Sequence, residues 1–187
     1  MGIGWALILV VVAQRLAELR IARRNARWAR EQGGYEVGGE HYPLIVSIHL
    51  LWFLGMAGEL LLGAAPPVWW PVPATLFLLA QFLRYWCLRS LGRHWNTRIW
   101  VIPGRKPVIR GPYRYIRHPN YLAVIAEILT LPLALGAFWT AAAVSLLNLL
   151  VLLRVRIPAE ERALAAATGY DGEMGEKGRL IPFPKRG

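Results

Sequence analysis

An all-α integral membrane bundle is what this sequence predicts, on three observations. Hydrophobic residues make up 56% of the 187-residue chain, and its mean hydropathy is +0.36, more apolar than soluble domains of this size usually are. Five apolar segments, at about 2–22, 43–63, 68–88, 119–135 and 137–154, approach the roughly 20 residues a spanning helix needs. Basic residues gather between those segments, on alternate connections, as they do in membrane proteins. The length favours one domain, 1–187, with an N-terminal three-helix part (1–88) and a C-terminal part (89–187).

Segment one is purely apolar only to Ala13; Arg15, Glu18 and Arg20 make its second half amphipathic. No basic stretch precedes Ile3 and no small-residue cleavage site follows, so this run is expected to stay as a membrane segment. The Pro-rich link Ala64–Pro73 (AAPPVWWPVP) joins segments two and three as a short outer loop, with Trp69 and Trp70 at the interface. Pro132 and Gly136 divide the last two segments into a tight helical hairpin. Pro158 then opens a short C-terminal helix that Thr168–Gly169 ends.

Arg23, Arg24, Arg27 and Arg30 follow segment one, the stretch Arg89 to Arg117 follows segment three, and Arg154, Arg156 and the tail follow segment five. The opposite connections, Gly63–Val68 and Leu135–Ala137, contain no Lys or Arg. The positive-inside rule therefore puts the N-terminus outside and the basic loops and C-terminus in the cytoplasm; in a prokaryote the membrane would be the cytoplasmic one. A net charge of +11 and pI near 10.7 would suggest nucleic acid in a soluble chain. With this hydropathy they point to membrane lipids instead, and no nucleic-acid partner is expected. Cys87 is the sole cysteine, which excludes an intrachain disulfide. His41, His49, His94 and His118 lack metal-ligand spacing, so no metal is expected.

The basic connection runs LGRHWNTRIWVIPGRKPVIRGPYRYIRHPNY from Leu91. Ile99–Ile102 and Val108–Ile109 read as short extended pieces between the turns Pro103–Gly104 and Gly111–Pro112. Pro119 suits the first position of helix four, with His118 just outside it. If that helix began early, Arg117 and Tyr121 would share a face. Arg105, Lys106 and Arg110 fit phospholipid headgroups as well as any ligand, and Tyr115 and Tyr113 fit an interfacial aromatic belt. Arg117 and His118 favour a functional role, because the proline fixes their approach to the helix. Glu127, an acid inside an apolar helix, must face a partner or a polar cavity, so structural and functional roles both stay open. Glu160 complements the dipole of a helix first turn; paired with Glu161, it could instead bind a ribose diol or a cationic ligand. Glu59 is assigned no function.

From Leu91 to Pro182 the sequence resembles the isoprenylcysteine carboxyl methyltransferase family of integral membrane enzymes. The resemblance rests on Leu91–Gly92, GPYRYIRHPNY at Gly111–Tyr121, the hairpin, RIPAEERAL at Arg156–Leu164 and RLIP at Arg179–Pro182. It implies S-adenosylmethionine as cofactor and a lipophilic or prenylated methyl acceptor. It places Tyr113, Arg114, Arg117, His118, Pro119, Tyr121, Glu160 and Glu161 in the cofactor and catalytic region, with Arg117, His118 and Glu160 as the catalytic candidates. The loop looks more like that of polyketide-lipid O-methyltransferases than of protein-processing enzymes. One departure stands out. Where the family carries a Phe-Gly pair and two spaced tyrosines, this chain reads ATGYDGEMGEKGRLIP, with Tyr170 alone. A carboxylate acceptor is already ionised at neutral pH and could be oriented by Arg117; a phenol or enol would need His118 as base. Two other readings compete. A related sterol-reductase-type enzyme would use NADPH, whose phosphate favours basic residues rather than an acid pair at 160–161. A non-enzymatic lipid-binding protein would use the loop only for headgroups.

Overall fold

A computed structural model describes residues 2–182. Helix α1 (Gly2–Glu31) runs well beyond its apolar first half. At 1.5 Å per residue it is about 45 Å long, against a hydrocarbon core of about 30 Å. Its second half stays helical because Glu18, Ala22, Asn25 and Ala29 form one buried stripe at three- and four-residue spacing. Asn25 Nδ2 donates to Trp95 O (2.7 Å) and Asn96 Nδ2 donates to Ala22 O (3.0 Å), which ties the helix to the basic loop.

Strand β1 (Tyr35–Val37) pairs antiparallel with β2 (Ile99–Val101), Tyr35 opposite Val101. This pairing joins the two basic connections at one end of the bundle. Of the two expected extended pieces only Ile99–Val101 forms a strand; Val108–Ile109 does not. Helices α2 (Tyr42–Leu61) and α3 (Pro71–Leu91) follow. By length and composition Gly2–Glu31, Gly39–Leu61 and Phe138–Ala167 can cross a membrane, and Pro119–Leu135 is a shorter apolar helix.

Helix α4 (Pro119–Leu135) starts at the proline with His118 as N-cap, as expected. Gly136 closes the hairpin at φ +79°, and a Cβ there would overlap the Ala65 carbonyl, so only glycine suits the turn. Glu59 of α2 acquires a structural role. Its carboxylate accepts the backbone N–H groups of Thr140 (2.7 Å) and Trp139 (3.2 Å), supplying the first turn of α5 (Phe138–Val151) with the acceptor that Ala137 lacks.

The short separate helix expected from Pro158 is instead the continuation of α5. A π-helical turn, Leu152–Arg156, leads directly into α6 (Ile157–Ala167). Pro158 has no N–H for the Arg154 carbonyl; the wider turn, with Ile157 N–H on Leu152 O, absorbs that break and the helix continues. A last helix, α7 (Tyr170–Met174), starts the tail.

Glu127, 3% exposed, finds its partners on α3 and α1 rather than on α5. Arg84 Nε donates to Glu127 Oε1 (2.6 Å) and its Nη2 bonds Oε2. Arg84 Nη1 also stands 3.5 Å from Glu18 Oε2, and Arg15 Nη1 donates to the same oxygen at 2.8 Å. Two cations and two acids thus cancel inside the apolar bundle. Removing one partner from a buried pair leaves an uncompensated charge. We expect Glu127→Ala to lower stability by about 3 kcal/mol in thermal unfolding of the detergent-solubilised protein. Adding Arg84→Met to it should recover most of the loss, and no recovery would mean that the pair is not coupled.

Candidate active site

The loop reaches the hairpin through a one-turn 3-10 helix, Gly111–Arg114. Gly111, at φ +57°, lies where a Cβ would meet the Ser90 side chain, which fixes the loop's entry. Arg110 Nε donates to Ser90 O (2.7 Å) and Arg105 Nη2 to Gln32 Oε1 (2.7 Å), while the Lys106 side chain is largely exposed. Tyr115 is exposed, in keeping with an interfacial place, whereas Tyr113 is buried against Cys87, Tyr170 and Met174. Burial and the neighbouring Cys87 push the Tyr113 hydroxyl well above its usual range, so it stays protonated.

Arg117 lies outside α4, and its expected sharing of a helix face with Tyr121 gives way to a different geometry. The Arg117 N–H donates to Gly178 O (3.0 Å) and the His118 N–H to Arg179 O (2.9 Å). The tail is therefore pinned by its backbone along residues 117–118. The Arg117 guanidinium grips the same tail: Nε on Lys177 O (2.7 Å) and Nη2 on Gly175 O (2.8 Å). Its Nη1 donates to Glu161 Oε1 at 3.2 Å. The His118 Nε2 stands 3.2 Å from that oxygen, and Arg179 Nε donates to Oε2 at 3.0 Å. Glu161 is the hub that joins loop, helix and tail. The Gly-rich tail that departs from the family pattern thus closes over the site, with Tyr170 buried beneath it.

Beside the hub, the Tyr121 hydroxyl donates to Glu160 and accepts from Arg156 Nε (3.0 Å), whose Nη2 holds Thr97 O (2.9 Å). The rings of His118 and Tyr121 lie 5.4 Å apart at a 35° tilt. A cavity of about 610 Å³ opens here. Tyr113, Arg117, His118, Tyr121 and Glu160 line it, whereas Glu161 and Pro119 stand behind and hold those residues in place. From Thr168 and Arg105 at the loop end it runs down to Arg15, His49 and Phe53 inside the bundle. Its wall between α1 and α2 carries Leu16, Val46, Leu50 and Leu54, all exposed on the surface as well.

Sequence reasoning missed several lining residues. Arg156 sits within the quoted RIPAEERAL run and carries the same signal as Glu160, a charge at the end of an apolar helix. Arg15 and Arg84 carry the signal recognised in Glu127. Asn120, Asn148, Tyr170 and Trp95 carry no sequence signal distinguishable from packing.

The profile of the Isoprenylcysteine carboxyl methyltransferase (ICMT) family matches residues 73–166. Those residues take in α3, the loop, the hairpin and Glu160–Glu161. The chain is 46% identical over 161 residues to "Uncharacterized protein YpbQ" of Bacillus subtilis (strain 168), a match covering 86% of this chain and 95% of that protein. It is 26% identical over 161 residues to an "Uncharacterized protein" of Haemophilus influenzae, covering 83% of this chain and 91% of that one.

Each charge-assisted hydrogen bond from Arg117 contributes about 1.5–3 kcal/mol. Arg117→Ala is therefore expected to release the tail. Limited trypsin digestion should cut after Lys177 and Arg179 about tenfold faster, equivalent to about 1.4 kcal/mol of easier opening. Cleavage after exposed Arg105 serves as the internal control and should not change. Equal acceleration at both places would mean global unfolding rather than tail release.

Proposed function

The chain belongs to the isoprenylcysteine carboxyl methyltransferase family of membrane methyltransferases, and from that premise we propose that it uses S-adenosylmethionine to methylate an oxygen of a lipophilic acceptor at the cytoplasmic membrane face. The acceptor group is a carboxylate or a hydroxyl on an isoprenoid or long-chain polyketide lipid. In this reading α3 and α4 complete five spans, the N-terminus lies outside, and the basic loops and tail face the cytoplasm, bound to lipid headgroups. What supports it above all is the cavity's character. It is polar and charged at the loop end and apolar between α1 and α2, so a soluble cofactor and a bilayer lipid could meet inside it.

The residues fit the cofactor chemically. S-adenosylmethionine, when bound, supplies an electrophilic methyl group on a sulfonium centre. Cations favour aromatic faces and carboxylates, and His118, Tyr121 and Glu160 offer both within one wall of the cavity. Arg156 Nη1 and the Tyr170 hydroxyl are buried there without hydrogen-bond partners. A ligand carrying its own carboxylate and hydroxyls would satisfy such orphans. Tyr113, Pro119 and Glu161 complete the cofactor region as supports.

Arg117 then acts as a positioning residue, because three of its N–H groups are already committed to the tail and to Glu161. A carboxylate acceptor needs orientation and no base, and holding it in line is a large part of the acceleration. For a hydroxyl acceptor, His118 is the base. With the Nε2 proton shared with Glu161, the Nδ1 lone pair is left to take the acceptor's proton. The paired acids also weigh against NADPH at this place, since its extra phosphate favours cations.

Calorimetry with S-adenosylhomocysteine should give saturable binding that Glu160→Gln and Tyr121→Phe weaken about tenfold, the loss of roughly 1.4 kcal/mol of polar contact. Arg105→Ala should stay within about twofold, because its partner is Gln32. Labelled S-adenosylmethionine incubated with membrane lipid extract should label a lipid fraction, and Glu160→Gln should abolish the transfer. Competition by NADPH but not by S-adenosylhomocysteine would overturn the proposal. So would equal losses at Arg105 and at Glu160, the outcome expected of a headgroup-binding protein.

A further inference from the structure

The cavity does not stop at the polar site beneath the loop. Below Tyr121 it continues past Asn148 to Arg15 and His49. Glu127, which pairs with Arg15 across 3.5 Å, lies six residues into α4 from Tyr121, roughly 9 Å deeper at 1.5 Å per residue. Most of a lipid's inner part could be accommodated by apolar side chains alone. Yet this passage carries three side chains with buried donor atoms that have no hydrogen-bond partner among the described residues. Arg156 is 4% exposed and its Nη1 has no hydrogen-bond partner; Asn148 is 2% exposed and its Nδ2 has none. Arg15 Nε and Nη2 are buried without hydrogen bonds as well. The Nη2–Glu127 pair is an ionic contact without hydrogen-bond geometry.

All four atoms are donors. Arg has no acceptor at all, and the orphaned atom of Asn148 is its amide nitrogen. Their neighbours in the same layer are fully occupied: Arg84 is taken by Glu127 and Glu18, and Glu18 by Arg15. Buried donors are costly when left unmatched, and a purely hydrocarbon occupant would leave them so. The Arg156 donor belongs to the cofactor region already described; those of Asn148 and Arg15, residues that line the deeper passage, call for an occupant with oxygen acceptors along its inner part.

We propose that Asn148 and Arg15 form a recognition subsite, below the methyl-transfer site, for a second, proton-free oxygen of the acceptor lipid, of the carbonyl or carboxylate kind. The inference rests on the reading of the cavity as the acceptor site and narrows the acceptor. It excludes lipids whose only oxygen function is the one methylated. Asn148 and Arg15 are positioning and specificity residues here, set away from the reacting atoms.

The test uses binding alone, in the absence of cofactor. Two probes are compared on the full-length protein in detergent: a fatty acid with a mid-chain keto group and the saturated fatty acid of the same length. Dissociation constants come from quenching of tryptophan fluorescence. The wild type is expected to bind the keto lipid about tenfold more tightly, the equivalent of about 1.4 kcal/mol. Asn148→Leu, similar in volume but without the donor, should reduce that preference to about twofold or less while leaving the affinity for the saturated acid unchanged. Arg15→Lys keeps the charge beside Glu18 and Glu127 but loses the Nε donor; it should also reduce the preference and serves where the leucine variant does not fold. Equal affinity of the wild type for both lipids overturns the proposal, as does a preference that survives in both variants. Loss of S-adenosylhomocysteine binding would instead strike at the methyltransferase reading, so the two failures are distinguishable.

Discussion

Glu161 is the contact on which the site's shape depends. One carboxylate takes Arg117 from the loop, His118 from the entry to α4 and Arg179 from the tail. Residues 117–118, Glu161 on α6 and Arg179 in the tail are separated in sequence by 43 and 18 residues, and this one carboxylate ties them together. Charge-assisted bonds are about twice as strong as neutral ones, and around Glu161 three of them converge. The adjacent Glu160 is thereby left facing the cavity with Tyr121 and Arg156. Two neighbouring acids thus differ in place, Glu161 paired to loop and tail and Glu160 on the cavity wall. The difference follows from successive positions on a helix pointing to different sides.

A second constraint acts inside the bundle. Arg15, Glu18, Arg84 and Glu127 would each be costly alone in an apolar environment, and together they neutralise one another. Pairs of this kind add little net stability; what they fix is the register of α1, α3 and α4. They also leave Arg15, which lines the cavity, with unpartnered donors, so the layer that sets helix register also borders the proposed acceptor site. The π-helical turn has a comparable double effect. It accommodates Pro158 and turns Arg156 inward to Tyr121.

Much of this was legible from local pattern. The hairpin helix Pro119–Leu135 follows from a proline, an apolar run and a glycine, and the site residues converge because the motifs already marked both ends of the hairpin. Three features were not legible. Strand β1 is too short to carry an alternation signal and exists through its pairing with β2. The continuity of α5 into α6 is hidden by Pro158, whose usual meaning is a helix start. The tail's docking rests on backbone carbonyls at Gly175, Lys177, Gly178 and Arg179, which have no side-chain signature. The partners of Glu127 were within reach: Arg84 is an isolated charge in an apolar segment at comparable depth. Lone opposite charges in neighbouring spans are each other's most economical partners.

Under the proposed function, cofactor and lipid acceptor share one cavity, closed by the Glu161 junction. The most direct measurement is an experimental structure with S-adenosylhomocysteine bound. The ligand is expected between the His118–Tyr121 segment and α6, in contact with Glu160, with the tail still gripped by Arg117 and the passage towards Arg15 left open for a lipid. A ligand bound outside this cavity, or one that occupies the passage down to Arg15 and leaves no room for an acceptor, would contradict it.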